Sequence, residues 1–562
     1  MTSSSSKTTL ALAAVMAEMA GLALGVVSLL AGFKGAVDGY LLLSDIVNAF
    51  DDSSFLIVKL KIEQRRLEIW GDYYGFSDQD QCARLKTEPM HAQKLILWIL
   101  MEVESASTDI EKLVQRYGLH PVELDTTVAN DGYKQSYRSS PLITNLIRLR
   151  DEINQKRKKR KNVTWAIRDN AKFEKLLDRL EYLNDSLGTV LPRSDASVLA
   201  LGLSSYILPG ENDRNSLAVI GSSTQQLLAS CASLREVQLS RVKPTDIPFG
   251  ELSVLGSKPD PTSQRSSAQY SPKDKPEVNV FIEWKEVDSD LQDDQRQQVI
   301  SRIESLCVLL ISPKPSKFCL LPCLGLVEGK IDQQRFPGKK RFGLVFELDA
   351  EHEDLPTTLK DLFLAVNPTT KKVKMPPLGD RFRLAQALAS ALLLLHSSKW
   401  LHKSFRSENV LFFRPKRQLD GETSILKPYI SGFEYFRPDR EGVPSLESPH
   451  DKAGATVDPY LHPEYSTKFT RLHDIYSLGI VLIEIAMWRP IQRYYDPGTT
   501  AEAFRKQLVD GTPSLLGGMM GEVYQTVVVR CLKGEFGVDG MGLELEKAFW
   551  SKAVRELEFC RA

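Results

Sequence analysis

Trp400-Leu401-His402-Lys403-Ser404-Phe405-Arg406-Ser407-Glu408-Asn409-Val410-Leu411-Phe412 is the stretch on which the reading of the second half turns. It follows Arg383 to Ser397, an apolar segment with Leu384, Leu388, Leu392 and Leu395 at helical spacing, and it ends on a short β-prone run. Upstream, Val278-Asn279-Val280-Phe281-Ile282-Glu283-Trp284-Lys285 alternates and is rich in β-branched and aromatic residues, which predicts a strand. Arg341 to Leu348 predicts another. Between them, Gln295 to Leu310 puts Val299, Ile303, Leu306 and Leu310 on one helical face. The second half is therefore read as α+β.

In that order the Trp400 to Phe412 stretch resembles the catalytic-loop region of protein kinases, where H-R-D-L-x-x-x-N follows a leucine-rich helix and precedes a short strand. Tyr429-Ile430-Ser431-Gly432-Phe433-Glu434 stands at the place of the D-F-G segment and His462-Pro463-Glu464 at that of A-P-E. Asp474 to Leu482 stands at that of the buried helix beyond. The resemblance covers about residues 245 to 555 and implies a two-lobed fold. It implies that Lys285 faces nucleotide phosphates, that Glu304 holds Lys285, that Phe346 to Leu348 form a hinge, and that Asp474 orients the His402 loop. Asn409 would be the remaining metal contact.

The departures decide the chemistry. Ser404 stands where kinases carry the aspartate that accepts the substrate proton, and a hydroxyl is too weak a base at neutral pH for that work. Gly432 stands where they carry the metal-binding aspartate and offers no side-chain ligand. Asn409 is neutral and alone holds magnesium poorly. No G-x-G-x-x-G precedes Lys285; Gly250-Glu251-Leu252-Ser253-Val254-Leu255-Gly256 is a weak substitute. The expectation is a pseudokinase over residues 277–558, with no catalytic residue, no metal site, and ATP binding that is at most weak. The rival expectation, an active kinase with atypical metal use, has Ser404 and Gly432 against it.

The first half reads as helical. Phe55 to Tyr74, Met90 to Tyr117, Leu142 to Arg157 and Val163 to Leu187 carry helical apolar stripes, and strand signals are nearly absent before residue 240. Leu22, Val26, Leu29, Leu30, Phe33, Val37, Tyr40 and Leu41 predict a first core helix, and Gly35-x-x-x-Gly39 permits close helix approach. Met19 to Phe33 is uncharged but short for a membrane span, which needs ~20 apolar residues. Lys156-Arg157-Lys158-Lys159-Arg160-Lys161 is a solvated basic helix end, a nuclear localisation patch or a contact for anionic lipid.

Ala20-Gly21-Leu22-Ala23-Leu24-Gly25-Val26, the basic run, and Val163-Thr164-Trp165-Ala166-Ile167-Arg168-Asp169 with Phe173-Glu174-Lys175-Leu176 resemble the HeLo domain of fungal prion-inhibition and heterokaryon-incompatibility proteins. The resemblance covers residues 12–238. It implies an all-α bundle whose first helix can leave it, insert in a membrane and cause regulated cell death. Residues 239–276, where Pro, Ser, Gly and Lys crowd around Ser257 to Ser263, read as a linker.

Composition sets the outer limits. The 562 residues suffice for more than one core, and 42% hydrophobic with 26% charged residues excludes whole-chain disorder and a polytopic membrane protein. Lys+Arg and Asp+Glu both number 72, so no overall charge draws the chain to nucleic acid. Seven cysteines, an odd number mostly in apolar settings, fit reduced thiols in a cytoplasmic protein, and the lone Cys319/Cys323 spacing predicts no zinc site. The expected function is a signalling or cell-death effector. Its kinase-like domain binds a protein partner and controls a bundle recruited to anionic membrane through Met19–Phe33 and Lys156–Lys161. An interaction scaffold is the third alternative.

Overall fold

The computed structural model describes residues 26–47, 54–76, 88–123 except 118, 163–190 except 168, and 193–562 apart from 241, 255–263, 274, 288–290, 331–338, 349–354, 367–372, 415, 417–423, 434–436, 439–457, 465–468, 497, 539–541 and 543. Residues 19–25 of the apolar opening, the Leu142 to Arg157 segment and the basic run Lys156 to Lys161 lie outside the described residues. The chain divides into two compact units, Met1 to Leu203 and Ser204 to Ala562.

The first unit is a helical region built from α1 (Val26–Val47), α2 (Ser54–Tyr73), α3 (Met90–Thr108), α4 (Ile110–Gln115), a hairpin-like pair β1 (Leu119–Glu123) and β2 (Val163–Ile167), then α5 (Asn170–Thr189) and α6 (Arg193–Ile207), whose last turn passes the boundary. Leu29, Phe33, Ala36, Val37, Tyr40 and Leu43 of α1 are buried, the stripe expected of a core helix. Burial of each large member of that stripe contributes roughly 1.5–3 kcal/mol. Gly35 and Gly39 let α1 lie close on α3. A Cβ would stand 2.3 Å from Glu104 Oε2 at the first and 1.9 Å from Ser107 Oγ at the second. A polar tie joins α1 to α2 and α5: Asn184 donates to Tyr40 Oη (3.0 Å) and to Glu63 Oε2 (2.8 Å), and Arg66 donates to the same Glu63 oxygen (2.9 Å) and to Asp185. Desolvation raises the Glu63 carboxyl above the ordinary glutamate value, an effect that Arg66 and Asn184 oppose. Among the described residues no helix is long and apolar enough to cross a membrane.

Two expectations for this unit change. The all-α reading is corrected by the antiparallel pairing of Leu119–Glu123 with Val163–Ile167. Val163-Thr164-Trp165-Ala166-Ile167 is rich in β-branched and aromatic residues, which favour strand, and the helix starts only at Asn170, after Asp169 caps it by accepting from Lys172 N. The Met90 to Tyr117 helix is likewise broken at Asp109, whose extended backbone ends α3 and whose side chain caps α4.

The second unit is mixed α/β. After α7 (Arg214–Gly221) and α8 (Gln226–Leu239) comes a curled five-stranded antiparallel sheet of β3 (Leu252–Val254), β4 (Arg265–Tyr270), β5 (Val278–Val287), β6 (Cys323–Glu328) and β7 (Lys340–Glu347), in the order β3-β4-β5-β7-β6. Helix α9 (Asp293–Ile311) joins β5 to β6. Strands β3 and β4 fall within residues 239–276, so that stretch is not linker throughout. Its strands are poor in large apolar residues because the backbone ladder to β5 holds β4 in place, and small Ser267 and Ala268 fill the buried positions. Along β5, Val280, Ile282 and Trp284 enter an apolar cluster with Ile247, Ala268, Val327 and Val345, while Glu283 and Lys285 lie on the opposite face.

The rest is mainly helical, led by α10 (Leu359–Leu364), α11 (Leu378–Ser397), α12 (Arg471–Met487) and α13 (Ala501–Gly511). Every residue of α11 from Leu388 to Ser397 is buried, as is every residue of α12 from His473 onward. Helix α8, which the sequence reading grouped with the bundle, packs into this unit. Arg235 donates to Ser397 O and Leu208 O (both 2.6 Å), and its buried charge lies 4.0 Å from Glu546, which Arg471 approaches to 3.0 Å.

Candidate functional site

The site is a layer of loops facing the polar side of the sheet. Helix α11 delivers the chain to Trp400-Leu401, after which residues 402–409 turn back and Val410–Phe412 pairs antiparallel with Tyr429–Ile430. The loop is held from beneath by Asp474, fully buried near the start of α12. Its carboxylate accepts from His402 N (2.8 Å) and Lys403 N (2.9 Å) and meets His396 Nε2 at 3.2 Å. These bonds are the backbone contacts expected of Asp474. They fasten a strained turn, since Lys403 has φ +67°.

His402 is buried, with Nε2 3.0 Å from Ser431 O and Nδ1 accepting from Ser404 N at 3.2 Å. Burial pushes its imidazole down to about 4, so it is neutral near pH 7 and donates through Nε2 to a carbonyl. It therefore fastens one loop to the next. Deeper in, Glu484 Oε1 accepts from Tyr460 Oη (2.7 Å), Ser407 Oγ (3.2 Å) and Ile491 N (2.8 Å), while desolvation lifts the carboxyl to about 8.

The residues named from sequence meet in part. Ser404 is buried, and its hydroxyl and carbonyl both accept from Asn409 Nδ2, at 3.1 and 2.9 Å. Gly432 has φ +71°, and a Cβ there would stand 2.0 Å from Asn409 Cγ. Ser404, Asn409 and Gly432 thus form one knot. Lys285 faces it, but its ammonium pairs with Glu283 Oε1 at 2.5 Å and not with Glu304, which is half-buried on α9. The reason is local: residues two apart on a strand share a face, and Glu283 precedes Lys285 by two.

Two participants were missed. Glu283 is 2% exposed and accepts from Gly432 N with both carboxylate oxygens, each at 3.1 Å. Its acidity is preserved against desolvation by Lys285, Arg265 and the Gly432 amide, which together hold it below the ordinary glutamate value. Arg265, directly opposite Glu283 in the β4–β5 register, donates to Glu408 O (3.1 Å), Asn409 Oδ1 (3.0 Å) and Ser431 Oγ (2.9 Å). Alternation along β5 would have placed Glu283 beside Lys285. Nothing in the Ser-rich stretch around Arg265 pointed to the loops.

This arrangement does not suit a magnesium-nucleotide complex. Glu283, whose carboxylate reaches the knot, is already engaged by Lys285 and Gly432 N, and a guanidinium covers the Asn409 oxygen. Among the described residues no group of three or more His, Cys, Asp or Glu side chains stands ready to hold a metal ion. Neither Ser404 nor neutral His402 provides a general base of the strength that phosphoryl transfer asks for.

Residues 21–207 match the HeLo family model, described as prion-inhibition and propagation. Residues 273–547 match a domain of unknown function, DUF7580. No curated protein matches the chain. The first match suggests a role of the cell-death or heterokaryon-incompatibility type.

Proposed function

We propose that the chain is a cell-death effector in which a kinase-like, catalytically silent second unit takes a signal from a protein partner and governs a helical bundle acting at a membrane. The observation that carries this reading is the match of residues 21–207 to the prion-inhibition and propagation family, across the helical first unit. The kinase-like part is supported by the order of motifs in the sequence together with the anchoring of the His402 loop by Asp474 and the placement of Ser404, Asn409 and Gly432 in one knot. Silence is supported by what that knot lacks: a carboxylate at 404 and one at 432. ATP binds weakly, through Lys285, and with little dependence on magnesium.

On the membrane side, Met19 to Phe33 is the inserting segment and Lys156 to Lys161 holds the protein near anionic lipid, each cation adding ~1 kcal/mol at low salt. Leu29 and Phe33 are buried in the bundle, so insertion requires α1 to leave it, and the Tyr40–Asn184–Glu63 tie must then break. In this reading the protein is cytoplasmic at rest. An interaction scaffold is the second reading, favoured by that same burial of α1.

Two measurements on the full chain test the proposal. Wild-type protein shows no magnesium-dependent phosphate transfer above a Lys285→Met control; transfer abolished by that substitution refutes silence. Asn184→Ala, which frees α1 from its polar tie, raises leakage of anionic vesicles several-fold over wild type and loses that gain at high salt or on neutral vesicles. Leakage unchanged by Asn184→Ala puts the scaffold reading ahead.

A further inference from the structure

Arg265 and Glu283 stand opposite each other on neighbouring strands, and Lys285 follows Glu283 on the same face. All three point to the loop layer, and between them they reach both of its halves. Arg265 spans from Glu408 O and Asn409 Oδ1 to Ser431 Oγ, and Glu283 takes Gly432 N with both oxygens. Sheet and loops are thus joined by two charged contacts of opposite sign at one place. A guanidinium lying on Asn409 Oδ1 and Ser431 Oγ occupies the oxygens that a divalent cation would need there, and its charge repels one.

We propose that Arg265 is a resident cation that replaces a metal ion at this site and, with Glu283, latches the sheet to the loops, so that a nucleotide enters only when the Arg265 contacts break. The inference deepens the reading of the second unit as a silent kinase-like domain and rests on it. The latch has a defined fork geometry. Two nitrogens of one planar group serve three acceptors from two loops, an arrangement that lysine, a single point charge, cannot reproduce. Lys285 stays beside the cleft as the cation that would meet phosphate once the latch is open.

The test uses full-length protein and ATP as the probe, read by displacement of a fluorescent ATP analogue with either magnesium or EDTA present. Wild type is expected to bind ATP no better than millimolar, equally in both conditions. Arg265→Met, which keeps the stem and removes the fork, binds at least tenfold more tightly, again without need of magnesium; Arg265→Lys gains less. Equal or weaker ATP binding by Arg265→Met overturns the latch, and so does tight magnesium-dependent binding by wild type. If Arg265→Met does not fold, Arg265→Lys carries the test, and absence of any gain in it counts against the proposal. Failure of the latch leaves wild type without phosphate transfer, whereas failure of the silent-kinase reading appears as transfer by wild type, so the two are separable.

Discussion

Full-length Gly432→Asp protein is expected to unfold at a clearly lower temperature than wild type and to gain no phosphate transfer, even when Ser404→Asp is added. The substitution supplies the carboxylate whose absence the sequence shows, yet the structure has no room for it. Gly432 holds φ +71°, a conformation that costs a residue with a side chain on the order of 1 kcal/mol or more, and its Cβ would lie 2.0–2.2 Å from the Asn409 amide. That amide is not a free end that can swing aside. It donates to Ser404 O and Oγ and accepts from Arg265, so its displacement breaks the knot and brings a second carboxylate close to Glu283. Backbone strain, overpacking and lost hydrogen bonds together are expected to cost about 3 kcal/mol or more. Calorimetry of the full chain reads the loss, and a double-mutant cycle with Asn409→Ala locates it. Removing the obstructing amide should make the pair less costly than the sum of the two single changes. Wild-type stability in Gly432→Asp would show that the Asn409 side chain yields freely, and the steric account would fall.

Asp474→Ala is the second large effect, because one buried carboxylate serves three donors, two of them buried. His402 N, Lys403 N and His396 Nε2 all converge on it, and His402 and His396 are buried while Lys403 is half-buried. Truncation leaves the donors unpaired and releases the left-handed turn at Lys403, for an expected loss of roughly 3–5 kcal/mol. Asp474→Asn keeps one acceptor oxygen and should lose less. Denaturant unfolding followed by tryptophan fluorescence reads both; a loss below about 1 kcal/mol for alanine would mean that the loop is held elsewhere. Hydrogen exchange at the His402 and Lys403 amides should rise in the same order, alanine above asparagine above wild type.

The placement of α1 also changes which substitution can probe the membrane. Leu29 is 1% exposed, so Leu29→Glu would bury a carboxylate in the bundle and unfold it whether or not the helix ever inserts. Asn184→Ala acts on the tie and leaves the apolar face of α1 intact, which is why it discriminates where the core substitution does not.

Several elements were readable from the sequence because their signal is local. The stripe of α1, the α5 stripe from Phe173 to Leu187, the alternation of β5 and the apolar run of α11 each follow from side-chain periodicity, and burial on one face is what periodicity encodes. The missing carboxylates at 404 and 432 are likewise matters of residue identity at a spacing. The β1–β2 pair was not readable, because Val163 to Ile167 adjoins a strong helix and its partner strand lies about forty residues earlier. Strand β4 was hidden by its small polar residues, which make sense only beside β5.

What the sequence determined by itself is that the first region is helical, that the second is mixed, and that residues 404 and 432 are a serine and a glycine, neither of which carries a carboxylate. Only the tertiary structure decided that Lys285 pairs with Glu283 in place of Glu304, that helix α8 belongs with the second unit, and that Arg265 lies on Asn409 and Ser431. The physical reason is range. Helical and strand periods are set by neighbours a few residues apart, whereas Arg265 and Ser431 are 166 positions apart and meet only after the sheet has formed its register and α11 and α12 have brought the loops beneath it.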